Sequence, residues 1–257
     1  MAEFGPSRLT ARAAGHSYDG RTWQFRDLDL TVRAGEVRAV LGPNGRGKTT
    51  LLRVAAGLKR PTTGSIVADG AVGLVPQDFA RTFPYTVFDI VLMGRARHVG
   101  LLRMPGGRDR AAAAAALAVT GMSAFAERGF DSLSGGERQL VLIARAIAGE
   151  PATLLLDEPA SALDLGNQDR VLSLLRRLAD DGLAIVFTTH QPNHALAVAD
   201  GVLAMPPDAP ALSGPTRDIL TDDRIAALYG LPVATLTFEA GGRTRRSIAP
   251  LYTSVMP

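Results

Sequence analysis

Residues Gly42 to Thr49 read GPNGRGKT, with the apolar run VRAVL shortly before them and LLRVAAG shortly after. Few stretches constrain a fold more. Glycines at this spacing let the backbone turn so that successive N–H groups converge on one point, and a lysine and a hydroxyl close the turn. The run before fits a buried strand and the run after fits a helix closing at Gly57, so the turn sits at the positive end of a helix dipole. The pattern G-x-x-x-x-G-K-[ST] is met in full, and the ligand it suits is a polyphosphate. The expected nucleotide cradle is Gly42, Pro43, Asn44, Gly45, Arg46, Gly47, Lys48, Thr49 and Thr50. In it Lys48 reaches the β- and γ-phosphates and the Thr49 hydroxyl coordinates magnesium. Arg46 stands where many such loops have a small residue, and its side chain can point outward.

The remaining composition excludes more than it assigns. At 257 residues the chain is long enough for one large α/β domain with a substantial core. No apolar run reaches the roughly eighteen residues that a membrane span needs. The start, MAEFGPSRLTARAAG, has no apolar segment behind a basic end, so no secretory signal is expected. The absence of cysteine excludes disulfides, cysteine-ligated zinc and a thiol nucleophile, and suits a reducing cytoplasm. Lys+Arg 28 against Asp+Glu 25 gives +3, with the basic residues scattered apart from GGRTRRS near the end, so no nucleic-acid partner is expected. Only Lys48 and Lys59 are lysines in a chain that otherwise uses arginine.

Up to the mid-seventies the chain reads as short strands, LTARAAGHSY, LDLTVR, EVRAVLG, GSIVADG and AVGLVP, interrupted by the one helix after the glycine loop. From Thr86 to Ala148 helical spacing takes over in TVFDIVLMGRARH, RDRAAAAAALAVTGM and GGERQLVLIARAIAGE. Then ATLLLD, DLGNQDRVLSLLRRLADDG, LAIVFTTH and NHALAVAD alternate strand and helix. That alternation implies a mostly parallel sheet covered on both faces, in a single domain over 1–257 with a helical insertion near 83–150. From Val202 onward a strand, the helix DDRIAALYG and a strand LPVATLTFEA close the same domain.

TLLLDEP, Thr153 to Pro159, is an apolar strand ending in two carboxylates. Successive side chains on a strand point to opposite sides, so Asp157 and Glu158 divide the work. Asp157 takes the magnesium ion through water, and Glu158 orients and polarises the attacking water. A second phosphate-type cradle lies downstream in LSGGERQ, where Ser134, Gly135 and Gly136 open a helix and present a hydroxyl, N–H groups and a positive dipole end.

These elements, in this order and over nearly the whole chain, resemble the nucleotide-binding domain of ABC-type ATPases: the glycine loop, Gln77 in LVPQDF, LSGGERQ, LLLDEP, SALD with Asp164, and His190 in FTTHQ. The resemblance implies a P-loop NTPase α/β fold with a mostly parallel core sheet, an N-terminal antiparallel β-subdomain and an inserted α-helical subdomain. It implies that Gln77 contacts magnesium and the membrane partner, that His190 holds the γ-phosphate and the attacking water, and that Ser161 to Asp164 cross a dimer interface. Ser134, Gly135, Gly136 and Glu137 would then receive ATP bound to a second copy in a head-to-tail pair. Tyr18 in GHSYDG matches the aromatic that stacks on adenine, with a core or turn tyrosine as the competing reading.

By the same resemblance the protein is an ATPase using ATP and magnesium, peripheral on the cytoplasmic face of the plasma membrane. Integral permease subunits and, indirectly, a substrate-binding protein are its partners. FPYTVFDIVLMGRARHVGLL would hold the groove for the membrane subunit, with Phe83, Tyr85 and Phe88 either in an apolar docking patch or packing the helical insertion. TVFDIVLMGR, QPNHA and SALDLGNQ resemble type II importers of siderophore-bound iron, haem, cobalamin, and molybdate or tungstate. An exporter subunit and a soluble, non-transport ABC ATPase are the alternatives.

Overall fold

In the computed structural model, which describes residues 4–77, 84–100, 103–207 and 209–252, two long antiparallel strands come first, β1 (Ser7–Ser17) and β2 (Trp23–Arg33). β3 (Val37–Leu41) leads through the glycine loop into α1 (Lys48–Ala55). β4 (Thr63–Ala68) then returns to β1, giving a three-stranded sheet in the order β2-β1-β4. After β5 (Val72–Val75) come α2 (Val87–Leu92), a 3₁₀ segment over Met93–His98, α3 (Gly107–Thr120) and α4 (Gly135–Ala148). β6 (Thr153–Leu156), α5 (Leu165–Asp180), β7 (Ala184–Thr189), α6 (Pro192–Val198) and β8 (Gly201–Ala204) follow in alternation. β9 (Leu212–Pro215), α7 (Thr216–Ile219), α8 (Asp222–Tyr229) and the hairpin of β10 (Val233–Ala240) and β11 (Arg243–Pro250) complete the chain.

The core sheet runs β5-β6-β7-β3-β8-β9, parallel throughout except for the last pair. β6 (TLLL) and β7 (AIVFTT) are buried at every position, as a sheet covered on both faces requires. Their alternate side chains feed two separate cores. Leu154, Leu156, Ile185 and Phe187 pack with α2 to α6, whereas Leu155, Ala184 and Val186 pack with α1 and the antiparallel strands. Each fully buried leucine here contributes about 1.5–3 kcal/mol relative to exposure.

The sheet order also places the chemistry. Strand β7 lies between β6 and β3, and Leu41 is level with Thr189 while Leu156 is level with Phe187. The glycine loop, the Asp157–Glu158 turn and His190 therefore leave the carboxyl edge of three adjacent strands, where open α/β sheets bind ligands.

Three elements differ from the sequence reading. Strand β2 begins at Trp23 rather than Leu28, its pairing with β1 broken by register shifts around Ala13 and Asp27, which have φ of 43° and 51°. The helix expected over TVFDIVLMGRARH stays α-helical only to Leu92. In the tightened turn after it Arg95 is 1% exposed, its Nε donating to Asp109 Oδ1 (3.1 Å) and its Nη1 to the Ala148 carbonyl (2.8 Å). GGRTRRS, read as a basic cluster, is the Gly241–Gly242 turn and the first half of β11.

Candidate functional site

The glycine loop is held from beneath by the missed half of β2. Gly47 has φ 75°, and a Cβ there would lie 2.4 Å from the Gln24 carbonyl oxygen, so no other residue fits. No side chain caps α1 and its first turn has no acid, which leaves its positive end to an external anion. The Lys48 ammonium is buried, donating to the carbonyls of Gly42 (2.8 Å) and Pro43 (3.0 Å) and lying 3.5 Å from Glu158 Oε1. Asn44 to Thr50, Gln24, Gln77 and Glu158 line a cavity of about 300 Å³ over the loop. Arg46 points away to the Pro207 carbonyl (3.1 Å), as its place in the loop allows.

Tyr18 stands beside this cavity without lining it. Its hydroxyl is 3.0 Å from Thr50 Oγ1, Lys59 Nζ is 4.9 Å from its ring centroid, and His16 meets it edge-on. The side chain is 55% exposed, which removes the core-tyrosine reading.

Asp157 and Glu158 part company, though for a different reason than strand alternation. β6 ends at Leu156, and Glu158 adopts the left-handed region with φ 46°. Asp157 joins Thr49 and Gln77 around a separate cavity of about 150 Å³, while Glu158 faces the glycine loop. Thr188 joins the two, its hydroxyl donating to Asp157 Oδ1 (2.7 Å) and accepting from the Glu158 N–H (2.8 Å).

Glu158 Oε2 is 3.0 Å from His190 Nδ1. Burial works to raise the Glu158 carboxyl, but the Ser161 hydroxyl, His190 and Lys48 outweigh it and hold the group below its ordinary value. With that carboxylate ionised, the shared proton belongs on His190 Nδ1. The His190 carbonyl accepts from the Tyr229 hydroxyl at 2.8 Å.

LSGGE forms a capping box at the start of α4. Glu137 N–H donates to Ser134 Oγ (3.3 Å), and Ser134 N–H donates to Glu137 Oε2 (2.8 Å). That backbone N–H, then the serine hydroxyl, hold the Glu137 carboxyl below its usual range, so Glu137 serves its own helix. Asp164 likewise caps α5, accepting from the Asn167 backbone N–H (2.9 Å) and its side-chain amide (2.7 Å). The two helix starts interlock, since a Cβ on Gly136 would fall 2.4 Å from the Asn167 side chain. Ser134, Gly135 and Asp164 are exposed, and none of Ser134 to Glu137 lines either cavity at the glycine loop. Within one chain the two cradles are not brought together.

The residues around the expected docking groove divide. Phe83 lies outside the described residues. Tyr85 lines a cavity of about 570 Å³ with Asp89, Leu92, Met93, Ala96, Val99, Gly100 and Pro105. Phe88 instead packs against the main core with Arg110 over its ring. In QPNHA, Asn193 exchanges hydrogen bonds with the Ile248 backbone, and His194 is buried between Thr189 and Gln168. These residues tie the C-terminal hairpin to the His190 turn.

Sequence reading missed Gln24, Thr188 and Tyr229. Gln24 lay in a stretch not read as strand, and Tyr229 meets His190 only in the folded chain. Thr188 left one trace, a second hydroxyl in TTH on an otherwise apolar strand.

A glycine loop at the carboxyl edge of a parallel sheet, with a buried lysine and a carboxylate–histidine pair facing it, defines a P-loop nucleotide hydrolase. The family model described as ABC transporter matches residues 25–161. The molybdate import ATP-binding protein MolC of Haemophilus influenzae is 43% identical over 96% of this chain and 98% of its own length. The hemin import ATP-binding protein HmuV of Nocardia farcinica is 39% identical over 84% of this chain and 78% of its own. Among solved structures, an inward-facing conformation of a metal-chelate type ABC transporter superposes with a TM-score of 0.92 at 42% identity, covering 97% of this chain and 100% of that one. The chain belongs to the ABC transporter family as an ATP-binding protein, and its activity is the ATP hydrolysis by which such proteins power transport. Among the described residues no helix is long and apolar enough to cross a membrane.

Proposed function

We propose that this ATP-binding subunit powers import by closing head-to-tail on a second copy of itself, with each ATP held between the glycine loop of one copy and Ser134 to Gly136 of the other. The observation that carries the reading is the separation of the two cradles: a buried lysine loop on one face and an exposed, capped helix start that shares no cavity with it. Asp164 lies beside that helix start through Asn167, which it caps and which meets Gly136, and Ser161 to Asp164 would cross the interface.

Magnesium fits the donors around the second cavity. The Thr49 hydroxyl and the Gln77 side-chain carbonyl are hard oxygen donors that would hold the ion, and the Asp157 carboxylate would hold it through water. When bound, the ion neutralises charge developing on the β- and γ-phosphates. Lys48 exchanges its carbonyl partners for phosphate oxygens. Glu158 takes the proton of the attacking water, and His190, fixed by Glu158 at one end and by Tyr229 through its carbonyl, orients that water against the γ-phosphate. Tyr18 offers its exposed ring face to adenine.

The subunit sits peripherally on the cytoplasmic face of the membrane, and the groove beside Tyr85 receives the permease. Relatives named for molybdate, hemin and cobalamin import support a metal chelate, cobalamin, haem or molybdate-like oxyanion as the cargo. A substrate-binding protein and the permease select it.

Glu158→Gln tests the whole scheme. This variant should bind ATP with magnesium, hydrolyse at least about 100-fold more slowly, and elute as a dimer in gel filtration. Turnover at the unmodified rate, or monomers throughout, would remove the reading.

A further inference from the structure

The two carboxylates at the end of β6 share one neighbour that neither the glycine loop nor the histidine supplies. Thr188 is 0% exposed on β7, and its hydroxyl makes two hydrogen bonds at once. It donates its one proton to Asp157 Oδ1 at 2.7 Å and accepts the backbone N–H of Glu158 at 2.8 Å. Both partners need it. The Glu158 backbone sits at φ 46°, a region costly for a residue with a Cβ and kept only where the surroundings over-determine it. Without Thr188 that N–H would be left without this acceptor, and Asp157, 5% exposed, would lose its only hydrogen-bonded hydroxyl among the described contacts.

We propose that Thr188 is a positioning residue for ATP hydrolysis, a single hydroxyl that fixes the backbone turn of the general base and the orientation of the metal-side carboxylate together. The inference rests on the assignment of Glu158 and Asp157 made above. By donating to Oδ1 it fixes the carboxylate of Asp157, a residue that lines one cavity with Thr49 and Gln77. By holding the Glu158 N–H it aims that carboxylate back across the sheet edge to Lys48 and His190 rather than along β6. The adjacent Thr189 does something else: its hydroxyl accepts from the Gln191 N–H (3.0 Å) and meets His194, shaping the turn after His190. An apolar residue at 188 would fill the same space and pack equally well in the sheet, so the hydroxyl is there for its two bonds.

Thr188→Val keeps the shape and removes the hydroxyl, and Thr188→Ser keeps the hydroxyl and removes the methyl. Five quantities are measured on the full chain: kcat and KM for ATP, the magnesium concentration for half-maximal activity, binding of a fluorescent ATP analogue in EDTA, and thermal unfolding without nucleotide. For the valine variant the expected result is a fall in kcat of about tenfold or more. Its magnesium requirement rises severalfold, KM and metal-free analogue binding stay near those of the unmodified chain, and the serine variant restores kcat and the magnesium requirement. A merely structural hydroxyl would instead lower thermal stability with kcat and the magnesium requirement unmoved, and that outcome overturns the proposal. Should the valine variant fail to fold, the serine variant decides: parental kcat and magnesium requirement uphold the role of the hydroxyl, and a loss as large as tenfold in either overturns it. Glu158→Gln run alongside separates the two layers. A slow Glu158→Gln with a normal Thr188→Val sinks this inference alone, whereas a normal Glu158→Gln sinks the general-base assignment beneath it.

Discussion

Two helix starts in this chain suit the same ion and are built in opposite ways. α1 begins inside the molecule, uncapped, with a buried lysine whose ammonium rests on its own loop's carbonyls. α4 begins at the surface, where the capping box answers the N–H groups of Ser134 and Glu137. The first is a binding site before any partner arrives, because its donors are held by burial and by the Gln24 contact at Gly47. The second is a stable, exposed helix end that shares no cavity with the first. On the function proposed above, the contrast explains why this chain would hold ATP as a monomer yet need a second copy to act on it.

The comparison can be broken at either end. Lys48→Ala should have the largest effect, cutting hydrolysis by about 100-fold or more because the γ-phosphate loses its buried cation. Far-UV circular dichroism should stay unchanged, and normal turnover would show that α1 is not the working cradle. Ser134→Arg should abolish dimer closure on ATP while leaving analogue binding by the monomer nearly unchanged in a titration. If monomer binding is lost as well, the two cradles are not on opposite chains. Gly136→Ala should cost about 1–3 kcal/mol in urea unfolding, because its Cβ would collide with Asn167 where α4 and α5 interlock. The second substitution Asn167→Ala should recover part of that cost. Asp164→Ala should be the mildest, costing about 0.5–2 kcal/mol for the lost cap of α5. An intact chemical stability there would mean that Asp164 serves the interface alone.

Much of the site was legible because its chemistry is local in the chain. Six residues from Gly42 to Gly47 make the loop, and the apolar runs on either side say which strand and helix hold it. Apolar strands buried on both faces are equally plain, as TLLL shows. What escaped depended on contacts between distant segments. Trp23 to Arg26 alternates apolar and polar side chains but is cut from the rest of β2 by the left-handed Asp27, and its Gln24 is what confines Gly47. The stretch TVFDIVLMGR resembles a transporter subclass, and in the fold its Arg95 staples the 3₁₀ segment to α3 and α4. Alternation correctly separated Asp157 from Glu158 but for the wrong cause, since β6 has already ended and a left-handed turn does the separating.

By itself the sequence determined where the glycine loop and its lysine fall, which strand carries the carboxylates, and the order of elements that makes the sheet mostly parallel. These follow from short-range pattern, since glycine spacing and apolar periodicity act within a few residues. Only the tertiary structure decided that β7 lies between β6 and β3, that Thr188 reaches both carboxylate residues, and that Ser134 shares no cavity with the loop it resembles. Those arrangements depend on strand order and layer packing, in which residues far apart in the chain satisfy one another's buried polar groups.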